Sequence, residues 1–145
     1  MDAIEILELD HQETRQAMQE IQKCRESDRK AKFSAFWSAT KIHDEIEESI
    51  FFGSIKIGAA AMRILEKVAG AHRVVEAAMA HLAELPTDNP RWIIIFRSLE
   101  EKLLGHMDEE DTVIFVRIRQ LMLQKDLEDI ADEMRAERMN QFKMA

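Results

Sequence analysis

His43 and Glu47, His72 and Glu76, and His106 and Glu110 share one spacing: a histidine followed four residues later by a glutamate. On a helix such a pair shares a face, with side chains about 6 Å apart. An imidazole nitrogen and a carboxylate oxygen so placed can reach one cation, or two adjacent ones. His11 contributes a lone imidazole near the N-terminus. All seven residues fall on or beside apolar helical stripes, where an unpaired carboxylate costs several kcal/mol. A buried cation offsets that cost. Imidazole and carboxylate donors without a thiolate suit iron or manganese more than structural zinc. Seven donors exceed the needs of one tetrahedral ion and match two ions with bridging carboxylates. No nucleophile–base arrangement or phosphate-binding loop is visible, so a hydrolase or kinase role has no support.

The segments that must hold these residues carry a helical period. Residues 2–25 place Ile4, Leu7, His11, Thr14, Met18 and Ile21 at alternating steps of three and four. Residues 29–52 do the same with Phe33, Phe36, Thr40, His43, Glu47 and Ile50. Residues 59–85 carry Leu65, Val68, His72, Val75, Glu76, Met79 and Leu82, and residues 90–122 carry Trp92, Phe96, Leu99, Leu103, His106, Glu110 and Val113. Breaks fall at Ser27-Asp28, between Gly53 and Gly58, and at Pro86–Pro90. The pattern predicts an all-α, up-down-up-down four-helix bundle over about 2–122. A short helix over about 125–142, with Leu127, Ile130, Met134 and Met139, would lie against its outside. No linker divides the chain, so 1–145 reads as a single domain. In an antiparallel bundle, residues at one height are equidistant from their connecting turn. His11 and the 43/47 pair centre on position 28, the 43/47 and 72/76 pairs just past Gly58, and the 72/76 and 106/110 pairs on position 91. All the candidate donors therefore fall in one layer.

Composition narrows the function. The chain has 145 residues, with 33% charged and 46% hydrophobic, which suits one globular core. Net charge is −8, which argues against nucleic acid or an anionic membrane as the main partner. Cys24 is the only cysteine, and Met1–Glu5 lacks a basic, apolar leader. The longest strongly apolar run, Trp92–Phe96, is far too short to span a bilayer. A cytoplasmic location is the expectation.

The order of these motifs resembles the hemerythrin-like, or HHE cation-binding, domains. The matching stretches are Asp10-His11, His43-Asp-Glu-Ile-Glu47-Glu48 with Phe51-Phe52, Ala71-His72, and His106-Met-Asp-Glu-Glu110-Asp111 with Ile114-Phe115. They span roughly residues 5–120. The resemblance implies a four-helix bundle holding a non-haem di-iron centre bridged by an oxo or hydroxo group. By the same resemblance, His11 and His43 would bind one iron. His72, Glu76 and His106 would bind the other, with Glu47 and Glu110 bridging. The residues leave iron, manganese or a mixed pair open.

One departure bears on activity. The oxygen carriers of the family have HxxxH in the third helix, and here the second position is Glu76. An anionic oxygen in place of a neutral imidazole favours the ferric state. The expected role is therefore binding of, or redox reaction with, O2, peroxide or NO, rather than reversible oxygen carriage. The alternative is a regulatory module that senses metal or oxygen without turnover; the residues do not decide whether the protein is an enzyme. The open coordination position is expected on the ion of His11 and His43. Glu45, Glu48, Glu109 and Asp111 flank the pairs and read as solvated groups or as partners that orient a histidine. His81, half a turn from His72, reads as a surface residue.

Overall fold

The computed structural model describes residues 1–55 and 58–144. Part of the break between Gly53 and Gly58, and the last residue of the expected domain, lie outside the described residues. Those described are helical with short connections: α1 (Ala3–Lys23), α2 (Arg29–Ile46), α3 (Ala59–Glu84), α4 (Pro90–Glu109), α5 (Phe115–Leu121) and α6 (Gln124–Met144). No strand occurs among them.

Local chemistry explains where the helices start. The Asp2 side chain accepts from the Glu5 N–H at 2.9 Å, and the Glu5 carboxylate accepts from the Asp2 N–H at 3.1 Å. This reciprocal box satisfies two amide donors that an N-terminus otherwise leaves bare. Asn89 caps α4 by accepting from the Arg91 N–H at 2.9 Å, and Pro90 supplies the first helical φ. Gly58 leads into α3 with φ 78° and ψ −153°, a backbone state that only glycine enters without strain.

α1 packs against α2 and α4, α2 against α3, and α3 against α4. Their apolar faces form two separate clusters. One gathers Ile4, Leu7, Ile46, Phe51, Phe115 and Ile118. The other gathers Met18, Phe33, Phe36, Met79, Trp92 and Phe96. Within it Trp92 stacks on Phe96 at 5.3 Å and meets the edge of Phe33 at 5.6 Å. Each of the fully buried side chains contributes about 1.5–3 kcal/mol by leaving water. In chain order the first cluster holds Leu7, Ile46, Val68 and Ile114, and the second holds Met18, Phe36, Val75 and Leu103. His11, His43, His72 and Glu110 fall between them.

Two features depart from the sequence-based expectation. α2 and α4 do not continue as regular α-helix: each runs into one π-helical turn, Glu47–Phe51 and Glu110–Ile114. The Phe52 N–H bonds to the Glu47 carbonyl and the Phe115 N–H to the Glu110 carbonyl, five residues back rather than four. The extra residue rotates everything downstream by about 100°. Adjacent pairs, Phe51-Phe52 and Ile114-Phe115, therefore both turn inward, while Val113, expected on the stripe, is 59% exposed. Secondly, α6 is not short. It has 21 residues and contributes Leu127, Ile130, Ala131 and Met134 to the first apolar cluster, packing on α1 and α2; Met139 is exposed.

Candidate metal centre

The polar layer is built from one histidine on each of α1 to α4. His11 is buried on α1 and His72 on α3. His43 and His106 stand one turn before the ends of α2 and α4, and Glu47 and Glu110 open the π turns beyond them. Both glutamates are wholly buried, at 0% exposure. A π turn fits here because it widens the helix where two bulky charged groups must enter the core.

The histidines are oriented from behind. The His11 Nδ1–H donates to Asp111 Oδ1 at 2.7 Å, the His43 Nδ1–H to Asp10 Oδ2 at 2.8 Å, and the His72 Nδ1–H to Glu48 Oε2 at 2.8 Å. A proton committed to Nδ1 leaves Nε2 as the free lone pair, the state a metal ligand needs. The ring of His11 is also stacked on Phe115, 5.8 Å away at 12°.

The inward atoms converge. His43 Nε2 is 3.4 Å from Glu47 Oε2, and His72 Nε2 is 3.1 Å from Glu47 Oε1. His106 Nε2 is 2.8 Å and His11 Nε2 3.5 Å from Glu110 Oε1. Yet Nε2 of His11, His72 and His106 and both oxygens of Glu47 and Glu110 have no properly directed hydrogen bond among the described residues. Buried polar atoms left this way cost about 1–3 kcal/mol each, more when charged. Two groups of donors, each within 4.8 Å of one another, emerge: His11, His43 and Glu47, and Glu47, His72, His106 and Glu110. Glu47 belongs to both. The donor set and its orphaned atoms fit metal cations.

Charge in the layer shows the same want of a cation. Burial would lower the basicity of His43 and His72, but Asp10 and Glu47 outweigh it at the first and push its pKa up to about 10, and Glu47, Asp44 and Glu48 push His72 up to about 9. Burial and neighbouring imidazolium charges take His106 down to about 4. Burial raises the Glu110 carboxyl well above its usual range, and Glu47 adds to this as a like charge. Against burial, the hydrogen bonds and charges of His43 and His72 hold Glu47 well below that range. Without metal the layer neutralises itself by keeping protons, which metal ions would displace.

Glu76 is not part of this layer, contrary to the sequence-based expectation. Its carboxylate accepts from Trp37 Nε1–H at 3.0 Å and lies 3.6 Å from Lys41 Nζ, with 43% of the side chain exposed. The reason lies in the phase of α3. Its buried stripe runs Val68, His72, Val75, Met79, Leu82. His72 sits at the trailing edge of that stripe, about 40° from its middle, so a further step of four carries Glu76 to about 80°, past the edge and toward α2. In α2 and α4 the histidine sits at the opposite edge of the face, and the same step carries the glutamate to the centre.

An acid not singled out from the sequence lies beside the layer instead. Asp44 Oδ1 is 3.4 Å from His72 Nε2. Burial, with Glu47 and Glu48 nearby, pushes the Asp44 carboxyl up to about 6, although His72 and His43 pull the other way. The signal was its spacing: Asp44 precedes Glu47 by three residues and so shares its face. Asp10 was the other role not anticipated. Asp111 and Glu48 do orient histidines, whereas Glu109 pairs with Lys67 at the surface, and Glu45 and His81 are exposed.

The family model for the hemerythrin HHE cation-binding domain matches residues 2–118. The chain belongs to that family. It is a hemerythrin-like, metal-binding helical protein, as the resemblance in its histidine and glutamate motifs implied. No curated protein and no solved structure gives a significant match. Among the described residues no helix is long and apolar enough to cross a membrane.

Proposed function

We propose that the layer holds two iron ions and that the protein binds, or undergoes redox reaction with, O2, peroxide or NO. The observation that carries this reading is the set of Nε2 and carboxylate atoms that face one another between two apolar clusters without hydrogen-bond partners. His11 and His43 would hold one ion. His72, His106 and Asp44 would hold the other, with Glu47 and Glu110 reaching both. Bound iron would supply one-electron redox change and a coordination position for a small ligand. The reading takes α1 to α4 as alternating in direction, up-down-up-down, which the short connections between packed neighbours support.

The residues of the chain set what that centre can do. Asp44 supplies the anionic oxygen expected of Glu76, so the preference for redox chemistry over reversible oxygen carriage passes to Asp44. The His11 and His43 side has fewer protein donors, which favours it for the open position. A cavity of about 430 Å³ between α1 and α2 supports this, since His43 lies in its wall beside Ala39, Thr40 and Phe36. Its wall mixes apolar side chains such as Ala35, Phe36 and Ile42 with the charged groups of Asp10 and Arg138, and Phe115 covers the face of His11. A regulatory module that senses metal or oxygen without turnover is the second reading. The hydrogen-bonded link from α6 to His43, through Arg138 and Asp10, favours it.

Metal content per chain, measured with the ultraviolet–visible spectrum of the same sample, tests the proposal. Two irons and a near-ultraviolet ligand-to-iron band, changed by peroxide or NO after reduction, are expected. One metal or none, in protein that stays folded after chelation, would overturn it. A large metal-dependent change in melting temperature or oligomeric state with negligible turnover would select the regulatory reading.

A further inference from the structure

We propose that Arg138, on the C-terminal helix α6, is a positioning residue for His43, so that a helix beyond the matched HHE segment forms part of the metal centre. The proposal rests on the metal-centre reading above. The buried face of α6 runs Leu127, Ile130, Ala131, Met134. The next step of four on that face is Arg138, a cation where the stripe calls for an apolar residue. Its guanidinium donates to both oxygens of Asp10, at 2.9 Å to Oδ1 and 2.6 Å to Oδ2. Asp10 Oδ2 in turn accepts the His43 Nδ1–H at 2.8 Å. The chain of contacts runs from α6 through α1 to a candidate ligand on α2.

Such a fork fixes a carboxylate in plane as well as in charge. A chain from arginine to aspartate to histidine occurs twice on this side of the layer, with the fork at Arg138 and a single contact at Arg15. Asp111, which holds His11, is itself held by Arg15 at 3.0 Å. Arg15 comes from α1, within the matched segment, whereas Arg138 comes from beyond residue 118. Both imidazoles assigned to one ion are thus set by an arginine-braced aspartate, and one brace depends on docking of α6. Arg138 and Asp10 also line the cavity that reaches His43. Loss of the arginine would leave Asp10 free to turn toward that space, and His43 would lose its fixed direction.

Two measurements on the full chain test this. Metal-free protein is titrated anaerobically with Fe(II) as wild type, Arg138→Gln, Arg138→Lys and Arg135→Gln. The last removes a cation from α6 that bonds Asp132 and the Met1 carbonyl and makes no link to the site. Loss of a partner that orients a ligand typically weakens metal binding about 10–100-fold. Arg138→Gln is expected to weaken one of two equivalents by that factor and leave the other within about twofold. Arg138→Lys, which keeps charge but not the fork, should fall between, and Arg135→Gln should match wild type. Equal weakening of both equivalents would mean a general packing role and overturn the proposal. The second measurement needs no metal: the hydrogen-bonded His43 Nδ1–H resonance in metal-free protein. It should lose protection from solvent exchange in Arg138→Gln while that of His72 is unchanged; an unchanged His43 signal would overturn the proposal. If wild type takes up fewer than two ions, the metal-centre reading fails and the resonance alone decides the role of Arg138. Should Arg138→Gln not fold, the same comparisons are read on Arg138→Lys.

Discussion

Glu110→Gln separates what the site contributes to folding from what it contributes to metal binding. Gln has the shape of Glu without its charge. Both Glu110 oxygens are buried and accept no hydrogen bond among the described residues, so the substitution breaks none. The new amide lies where Glu110 Oε1 is now, 2.8 Å from His106 Nε2, a nitrogen able to accept from it. In metal-free protein the exchange should alter stability by no more than about 1 kcal/mol. For a chain of 145 residues that is a shift of about 3–4 °C in melting temperature. Metal-loaded protein should behave differently. A ligand at a thousand times its Kd stabilises the fold by about 4 kcal/mol, or about 12–16 °C here. Glu47 and Glu110 are the two carboxylates that reach both sides of the layer, so losing one should remove most of that gain. The assay is paired thermal melts of wild type and Glu110→Gln, each with chelator and with excess Fe(II) under anaerobic conditions. A variant that keeps the full metal-dependent rise would remove Glu110 from the ligand set. A variant unfolded even with chelator would show that the carboxylate has a structural role its geometry does not reveal.

The same geometry sets other outcomes. Glu76→Gln should leave metal content unchanged and cost under about 1 kcal/mol in a thermal melt, since its partners are a half-exposed lysine and one indole N–H. Asp44→Asn should weaken uptake of one ion in a titration monitored by metal analysis, sparing the His11 and His43 side. Asp2→Ala removes the α1 cap and the contacts with Arg119 and Gln124, and should cost about 2 kcal/mol in urea denaturation at neutral pH. That deficit depends on pH. Burial would raise the Asp2 carboxyl, but hydrogen bonds from Arg119, the Glu5 N–H and Gln124 outweigh it and hold it well below 3.8. A depressed folded-state value contributes stability above the unfolded value that is lost on acidification. The gap between wild type and Asp2→Ala should therefore be constant above about pH 5 and shrink as pH falls below 3.8.

The sequence made the helices legible because a step of 3.6 residues leaves its mark on every buried face. Ile4, Leu7, His11, Met18 and Ile21 are all buried as the period requires. Six of the seven candidate donors come together because a buried histidine or carboxylate stands out against an apolar stripe. The π turns left no such mark. One added residue changes neither composition nor propensity, only the phase of the helix beyond it, and Val113 was accordingly assigned to the wrong face. α6 was under-read because its inward stripe stops being apolar at Arg138, the residue that ties it to Asp10.

The exchange of Glu76 for Asp44 has the same origin in phase. The stretches His43–Phe52 and His106–Phe115 are near-repeats: histidine, then glutamate, a second acid, a hydroxyl residue and two large apolar residues. Ser49 and Thr112 hold equivalent places, each donating to the carbonyl four residues back. Glu48 and Asp111 are equivalent too, and each orients a histidine of another helix, His72 on α3 and His11 on α1. Where the repeat is kept, the two sides of the layer match. It breaks at Asp44, whose counterpart is Met107, and at Asp10, whose counterpart beside His72 is Ala71. The first substitution adds an anionic oxygen to the side of His72 and His106. The second adds a braced carboxylate behind His43. On the proposed reading one side gains a donor and the other a support, and that asymmetry is what would make two chemically distinct metal positions from a repeated motif.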